Sequence, residues 1–242
     1  MTRVIFWYSC GVTSAVATKI TLDKYPNTII AYCDTGAEHT DNLRFIRDCE
    51  QWYGKEITVL KSEKYTDIWD VFNKTKYLAG VKGARCTTEL KKVVRRKFEK
   101  LDDLQIFGFD ISETNRAEKF CQHNPEVLTW FPLIEQKLSK KDCLALIAKQ
   151  GIELPEMYKL GYRNNNCIGC VKGQAGYWNK IRVDFPEVFA RMSEQERKLN
   201  VAICKSYAGD GKRKRVFLDE LPPDMGRYAD LDIQCGLFCG EI

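Results

Sequence analysis

The cysteines of this chain are numerous and unevenly placed. The sequence holds 11, and five of them stand where the pattern suggests chemistry: Cys86, the pair Cys167 and Cys170, and the pair Cys235 and Cys239. The Cys-x-x-Cys spacing of the first pair is the spacing with which two thiolates bind one metal ion or cluster. Structural disulfides are rare in a reducing compartment, so this distribution predicts a metal site, a cluster or thiol chemistry. Other cysteines within apolar patterns are predicted to be core residues: Cys33, Cys49, Cys121 and Cys143.

A second candidate site lies near the N-terminus, where an apolar run meets a group of small residues. Residues 4–8 are typical of a buried strand, and Ser9, Cys10 and Gly11 follow before a helical pattern begins. A turn between a strand and a helix brings unpaired amides and the positive end of the helix dipole to one point. The pattern predicts an anion site, although it is neither GxGxxG nor the GxxxxGK[ST] of P-loop proteins.

The first half of the chain predicts the scaffold for these residues. Strands are expected at 4–8, 28–32, 56–60 and 105–109, and helices at 14–24, 40–53 and 87–100. Such alternation forms βαβ units. The predicted fold is therefore α/β, a mostly parallel twisted sheet covered by helices on both faces. Sheets of this kind bind ligands at the carboxyl ends of their strands, near the point where strand order reverses.

The second half predicts a loop-rich, cysteine-bearing C-terminal subdomain. Ser139 is a natural N-cap for a helix that Gly151 ends, and another helix is expected over 186–205, before a tail that begins at 208. We expect residues 1–132 to form the α/β core and residues 133–242 to form the subdomain, the two making one structural unit.

Composition and charge limit the class of protein. No apolar stretch approaches the roughly 20 residues that span a bilayer, and the first strand begins too early to leave room for a signal peptide. A cytoplasmic protein with no membrane partner is expected. The net charge of +5 is compatible with anionic ligands. Basic residues bunch at 91–97 and 211–215, where a solvated surface and a phosphate-facing edge are equally good interpretations.

Several motifs, in a consistent order, resemble the phosphoadenosine phosphosulfate (PAPS) reductase family of the adenine nucleotide α-hydrolase superfamily. SCGVTS at 9–14 is similar to the SGGxDS phosphate loop, with Cys10 in place of the first Gly and Thr13 in place of Asp. DTGAEHTDNLRF at 34–45 resembles the family's DTG…ET.RF signature. The remaining matches are RCTTELKK (85–92), GFDISETNR (108–116), FPLIEQKLSKKDCLALI (131–147), LPEMYKLGYRNNNCIGC (154–170) and QCGLF (234–238).

The resemblance implies a site for an adenine nucleotide, which would be PAPS, adenylyl sulfate (APS) or ATP. The implied binding residues are Ser9, Cys10, Gly11, Thr13, Ser14, Asp34, Thr35, Gly36, Gly108, Glu113 and Arg116. The chain also departs from the family pattern. Phe109 and Asp110 stand where the family has two arginines, and Gln234 and Phe238 replace the Glu and His of the tail.

The resemblance also assigns the cysteines. It implies Cys86 as a third ligand beside Cys167 and Cys170, and Cys235 as the tail nucleophile that attacks the sulfur of a sulfonucleotide. Cys239 would then be the fourth ligand. A four-iron (4Fe-4S) iron–sulfur cluster is the first expectation, with zinc and free thiols as the alternatives. The interpretation of Cys235 and Cys239 as ligands or tail packing alone stays open.

The leading function is a PAPS reductase-like enzyme that reduces or transfers sulfur on an adenine nucleotide, with a thioredoxin-type reductant. One alternative is a thiolation enzyme (sulfurtransferase) of the same superfamily, in which ATP adenylylates a substrate. A second is a non-catalytic module that binds or sequesters nucleotides. A homodimer is an open expectation.

Overall fold

The computed structural model describes residues 2–80, 83–207 and 213–228, together with residue 233. Its strands are β1 (Val4–Tyr8), β2 (Ile29–Cys33), β3 (Thr58–Leu60), β4 (Ala79–Gly80), β5 (Gly83–Ala84), β6 (Leu104–Phe107), β7 (Leu128–Trp130), β8 (Cys204–Tyr207) and β9 (Arg213–Val216). Five of them form one parallel sheet in the order β3-β2-β1-β6-β7. Strand order therefore reverses between β1 and β6, and the α/β prediction is confirmed.

The helices follow the strands as crossover connections in the first half and dominate the second half. They are α1 (Val12–Lys24), α2 (Asn42–Tyr53), α3 (Ile68–Thr75), α4 (Arg85–Thr87), α5 (Val93–Phe98), α6 (Thr114–His123), α7 (Pro132–Glu135), α8 (Lys140–Lys149), α9 (Glu156–Lys159), α10 (Ala175–Asp184) and α11 (Pro186–Leu199). A π-helical turn over Thr88–Lys92 joins α4 to α5, and 3₁₀ turns cover Ile111–Glu113 and Leu218–Glu220.

Both faces of the sheet are buried because side chains alternate along each strand. Phe6 and Ile30 face a core cluster that includes Val16 of α1 and Ile147 of α8. Trp7 and its neighbours on the opposite face pack with Val94 of α5 and Phe120 of α6. The helix α8, which lies beyond residue 132, thus packs against the same sheet as the N-terminal helices.

A third core cluster joins the remaining helices. Phe72 of α3, Trp178 of α10 and Met192 of α11 lie in it, together with Cys204 of β8 and Leu218. Residues of the cysteine-bearing segment after α9 and of the short hairpin of β8 and β9 also pack in or against this cluster.

Some boundaries differ from the sequence prediction. The helix expected over 186–205 ends at Leu199, because Asn200 takes a left-handed conformation (φ 52°) and a strand follows at Cys204. Residues 213–216, expected in a tail, form β9. Cys121 was predicted to be a core residue and is exposed, whereas Cys33, Cys49 and Cys143 are buried as predicted. None of the helices in the described ranges is long and apolar enough to cross a membrane.

Candidate functional site

A cavity of about 630 Å³ opens at the carboxyl ends of β1, β2 and β6, beside the point where strand order reverses. The helix α9 and the segment after it close the cavity from the side of the subdomain, with Tyr158, Arg163 and Cys167 among the lining residues. This is the place where doubly wound sheets bind ligands. It also brings together several residues predicted from the sequence: Ser9, Gly11, Thr13, Gly108, Glu113, Arg116 and Cys167.

The loop after β1 keeps backbone amides open at the start of α1. The amide of Ser9 donates to Ser14 Oγ (2.9 Å), and the amide of Val12 donates to the Tyr158 hydroxyl (3.4 Å). The first helical bond runs from Ala15 N to Gly11 O. Within the described residues the amides of Cys10, Gly11, Thr13 and Ser14 have no acceptor, and the last two belong to the first turn of α1. Together with the helix dipole, these amides form a site that favours an anion.

The side chain of Cys10 points into the core under this loop, and Cys10 does not line the cavity. Its φ of 59° is in the left-handed region, where a non-glycine residue is strained. The side chain is fully buried, with Sγ 3.8 Å from the carbonyl of Asn42. Burial raises the pKa of this thiol well above its ordinary value, so it stays protonated. The carbonyl of Cys10 accepts a bond from Asn165 Nδ2 (2.7 Å), which fixes the loop.

The loop after β6 packs directly on the loop after β1. A Cβ on Gly108 would lie 2.8 Å from Ser14 Cα and 3.1 Å from Ser14 N, so only glycine allows this approach. The acidic side chains of this loop accept hydrogen bonds from the loop's own amides. Asp110 Oδ1 accepts from the amide of Ser112 (2.8 Å), and Glu113 Oε2 accepts from the amide of Asp110 (3.3 Å).

Glu113 and Arg116 line the cavity as an ion pair with each other. The Arg116 guanidinium also lies over the Phe109 ring, 4.3 Å from its centroid. Where the resemblance implies two arginines, Phe109 and Asp110 therefore supply an aromatic ring and a buried carboxylate.

The predicted residues after β2 support the site without lining it. Asp34 accepts from the amide of Gly36 (2.8 Å) and pairs with Lys61 (3.0 Å). Gly36 has a φ of 64°, and a Cβ there would lie 2.9 Å from the carbonyl of Thr66. None of Asp34, Thr35 and Gly36 is among the described residues that line the cavity. The same holds for Cys10 and Ser14, whose side chains face inward.

Arg44 of the same signature joins two parts of the chain. Its guanidinium binds Asp41 (2.7 Å) and Asp48 (2.7 Å) and donates to the carbonyls of Glu153 and Leu154. The bond from Arg44 is the main reason that the pKa of Asp41 is lowered. This network holds the segment before α9 against α2.

Two cationic residues of the cavity, Lys140 and Arg163, were not predicted from the sequence. Lys140 and Arg163 line it from the subdomain, and Lys91, in the basic run 91–97, lines it from the sheet side. Lys140 Nζ lies 2.6 Å from Asn164 Oδ1 and 5.3 Å from the centroid of the Tyr158 ring. Burial raises the pKa of Tyr158 to about 12, so its hydroxyl keeps a proton at neutral pH. No local pattern in the sequence distinguishes Lys140 from its exposed neighbours.

The predicted thiol ligands are only partly brought together. Cys167 Sγ lines the cavity and lies 3.0 Å from Thr35 Oγ1, while Cys170 belongs to the third core cluster, with Cys86 packed at its margin. The Tyr177 hydroxyl accepts from the amide of Cys170 (2.9 Å) and fixes this turn. In the described part of the chain, no three His, Cys, Asp or Glu side chains form a group that could hold a metal ion. Cys235 and Cys239 lie outside the described residues.

Comparisons with known proteins agree with this architecture. The model of the phosphoadenosine phosphosulfate reductase domain matches residues 3–175. An uncharacterized protein of Methanocaldococcus jannaschii is 24% identical over 200 residues, and the match covers 78% of this chain and 40% of that protein. The chain thus spans less than half the length of this relative. The crystal structure of PAPS reductase from Candida auris, in complex with phosphate, is similar in fold. Its TM-score is 0.51 at 12% identity, over 69% of this chain and 82% of that one.

Proposed function

The chain belongs to the phosphoadenosine phosphosulfate reductase domain family, and on this premise we propose that it is an enzyme acting on an adenine sulfonucleotide. In this proposal the sulfated end of the nucleotide lies at the start of α1. The reaction moves the activated sulfur from the nucleotide to a thiol of the protein.

The single observation that carries the proposal is the pair of open amides at Thr13 and Ser14. They lie at the carboxyl edge of a parallel sheet, at the wall of a cavity that Thr13, Lys91, Lys140 and Arg163 line. Amides at a helix start bind anionic oxygen atoms at little cost, because they are already oriented towards the ligand. A phosphate or sulfate group fits this position, and the cavity volume suits a nucleotide.

Cys235 is the proposed nucleophile, on the resemblance of QCGLF to the family's tail. Its thiolate would attack the sulfur of the sulfonucleotide, forming an S–S bond as the S–O bond to the nucleotide phosphate breaks. A thioredoxin-type thiolate would then attack the Cys235 sulfur, forming a mixed disulfide and releasing sulfite. A second thiol of that reductant would resolve the disulfide and leave Cys235 reduced.

A contact at the cavity rim supports this role for the tail. Ile233, two residues before Cys235, is buried and lines the cavity. Its carbonyl accepts a bond from Asn166 Nδ2 (2.8 Å). The chain is therefore held at the cavity by Ile233, which is two positions before Cys235 in the sequence.

The iron–sulfur cluster stays a prediction. Among the described residues no three His, Cys, Asp or Glu side chains form a metal-binding group, and the proposed fourth ligand Cys239 lies outside them. The proposed reaction uses no step through a metal. Anaerobic purification with iron, sulfide and zinc assays tests the prediction. Cys167→Ser and Cys170→Ser should each lower metal content if the set is correct, and Cys239→Ser should do the same.

The central experiment measures binding and turnover on one preparation. Titration calorimetry with ATP, APS and PAPS is followed by a sulfite-release assay with a dithiol reductant. We expect binding of a sulfonucleotide and sulfite release that Cys235→Ser abolishes while binding is kept. Binding without sulfite from either sulfonucleotide would reject the reductase. Pyrophosphate release from ATP with an acceptor would then support the thiolation enzyme, and no turnover would support the binding module.

A further inference from the structure

We propose that the Tyr158 hydroxyl donates a hydrogen bond to the anionic group at the start of α1, and that Tyr158 is thus a further ligand-binding residue of the cavity. The inference rests on the proposed function, because it concerns the same anion site. Tyr158 was not predicted to be a site residue, although it belongs to the segment 154–170. Its role follows from its position and from the hydrogen bonds of its hydroxyl.

Tyr158 lies on α9, where this helix meets the loop after β1. It lines the cavity together with Ser9, Gly11 and Thr13. Its hydroxyl oxygen is 3.4 Å from the amide nitrogen of Val12, and a Cβ on Gly11 would lie 3.3 Å from the same oxygen. The hydroxyl is therefore at the first turn of α1, beside the open amides of the anion site.

The oxygen of this hydroxyl already accepts hydrogen bonds from the backbone. A tyrosine hydroxyl has one proton to donate, and its oxygen can also accept. Burial raises the pKa of Tyr158 to about 12, although the amides of Val12 and Asn165 lower it by donating to the oxygen. The hydroxyl therefore keeps its proton at neutral pH, and its oxygen is held as an acceptor by two amides.

The proton of the hydroxyl has no protein acceptor in the described parts of the chain. Every hydrogen bond of the Tyr158 side chain there has its oxygen as the acceptor. A polar group shielded from water is costly to leave without a partner, so a ligand that brings an acceptor gains from meeting this donor. A sulfate or phosphate oxygen is such an acceptor, whereas a cationic ligand is not.

The charges around Tyr158 favour donation to an anion. Lys140 Nζ lies 5.3 Å from the centroid of the Tyr158 ring, and both residues line the cavity. A nearby positive charge favours the charged form of a phenol and so polarises its O–H bond. A sulfate or phosphate group in this cavity therefore meets positive charge, oriented amides and an O–H donor together.

NMR titration of Tyr158→Phe with inorganic sulfate, APS and adenosine tests the proposal on the full chain. Phenylalanine keeps the ring and removes the proton. We expect the affinity for sulfate and for APS to fall about tenfold, the lower end for a hydrogen bond to a charged group. The loss is at this lower end because the amide of Val12 becomes open in the variant. The affinity for adenosine, which carries no anionic group, should not change.

The matched control is Tyr53→Phe, which removes a hydroxyl that donates to the carbonyl of Ala15 on α1 (2.9 Å). Tyr53 is not among the described residues that line the cavity, so this variant should bind every ligand as the wild-type protein does. An equal loss for adenosine and sulfate in Tyr158→Phe would mean a structural role and would overturn the proposal. Unchanged affinity for sulfate would also overturn it, and tighter binding would show that the hydroxyl competes with the anion.

A second measurement uses the wild-type protein and needs no variant to fold. With ¹³C at the ζ carbon of the tyrosines, sulfate should shift the resonance of Tyr158 and leave that of Tyr53 in place. No shift at Tyr158 would contradict the proposal. A sulfite-release assay on the same samples reports the proposed function separately. Sulfate binding that depends on Tyr158, without sulfite release from APS, would reject the reductase and retain the hydroxyl as a donor to the anion.

Discussion

The loops after β1 and β6 lie side by side at the same edge of the sheet, yet they use their backbone amides in opposite ways. The loop after β1 leaves the amides of Thr13 and Ser14 open at the start of a 13-residue helix. The loop after β6 covers its amides with Asp110 and Glu113, which form a complete capping box. The difference is that one loop has amides free to bind an anion, whereas the other has its amides already bonded and packs against the first.

Gly108 joins the two loops, and its replacement should have the largest effect. In Gly108→Val the new side chain would meet the backbone of Ser14 at 2.8 Å, and backbone atoms have little freedom to move. We expect a loss of about 1–3 kcal/mol in the free energy of unfolding together with loss of nucleotide binding. Urea denaturation and calorimetry measure the two effects. Retained affinity would show that the contact between the loops does not shape the site.

Gly11→Val should separate binding from stability. Gly11 has a φ of −104° and a ψ of 164°, which any residue can adopt, and the nearest atom to a new Cβ would be the Tyr158 hydroxyl at 3.3 Å. The added side chain should obstruct the ligand and leave the fold intact. We expect nucleotide affinity to fall about 10- to 100-fold, the loss of one or two charge-assisted hydrogen bonds. An unchanged dissociation constant in calorimetry would argue against the anion site.

The ion pair of Asp41 and Arg44 at the start of α2 should make the free energy of unfolding depend on pH. Arg44 lowers the pKa of Asp41, so the unfolded state binds more protons than the folded state in mildly acidic solution. The stabilisation is present above the ordinary pKa of Asp, about 3.9, and is lost as the pH falls through the lowered value. Asp41→Asn should reduce the free energy of unfolding by about 1–2 kcal/mol at pH 7. As the pH is lowered, the free energy of unfolding of the variant should fall less than that of the wild type. Denaturation curves from pH 7 to pH 3 that match the wild type would contradict this.

Asp110→Ala should destabilise the loop after β6 without removing the anion site after β1. It takes away the acceptor for the amide of Ser112 and should cost about 1 kcal/mol of stability, with little change in nucleotide affinity. Ser139→Ala is the matched control, since Ser139 closes an equivalent capping box on α8. Thermal melting should show similar losses in both variants. A large loss of affinity in Asp110→Ala alone would mean that the carboxylate contacts the ligand.

Cys10→Ala should have the smallest effect. The thiol is buried and protonated, so nucleotide affinity and turnover should equal those of the wild type. Loss of turnover with unchanged affinity would reveal a chemical role for this cysteine.

The sequence predicts the sheet well because alternation and burial are local signals. The run at 4–8 is apolar throughout and the run at 28–32 is apolar after Thr28, as is typical of strands covered on both faces. The strand Leu128–Trp130 was missed because it is short, lies at the sheet edge and has Leu128 exposed.

The cavity was predicted only in part because its walls come from distant segments. The residues Gly11, Thr13 and Gly108 follow strands and have a local signature. Lys140 and Arg163 reach the site only through the packing of α8 and of the segment after α9, which no local pattern encodes. Conversely, Asp34 and Gly36 belong to a family signature, but their polar groups stabilise their own turn.

The most direct test of the anion site is an amide-resolved titration of the ¹⁵N-labelled protein with APS, followed by ¹H–¹⁵N correlation spectra. The account predicts large, saturable shifts for the amides of Thr13 and Ser14, and small shifts for the already bonded amides of Ser112 and Glu113. Large shifts at Ser112 and Glu113 with none at Thr13 and Ser14 would contradict it.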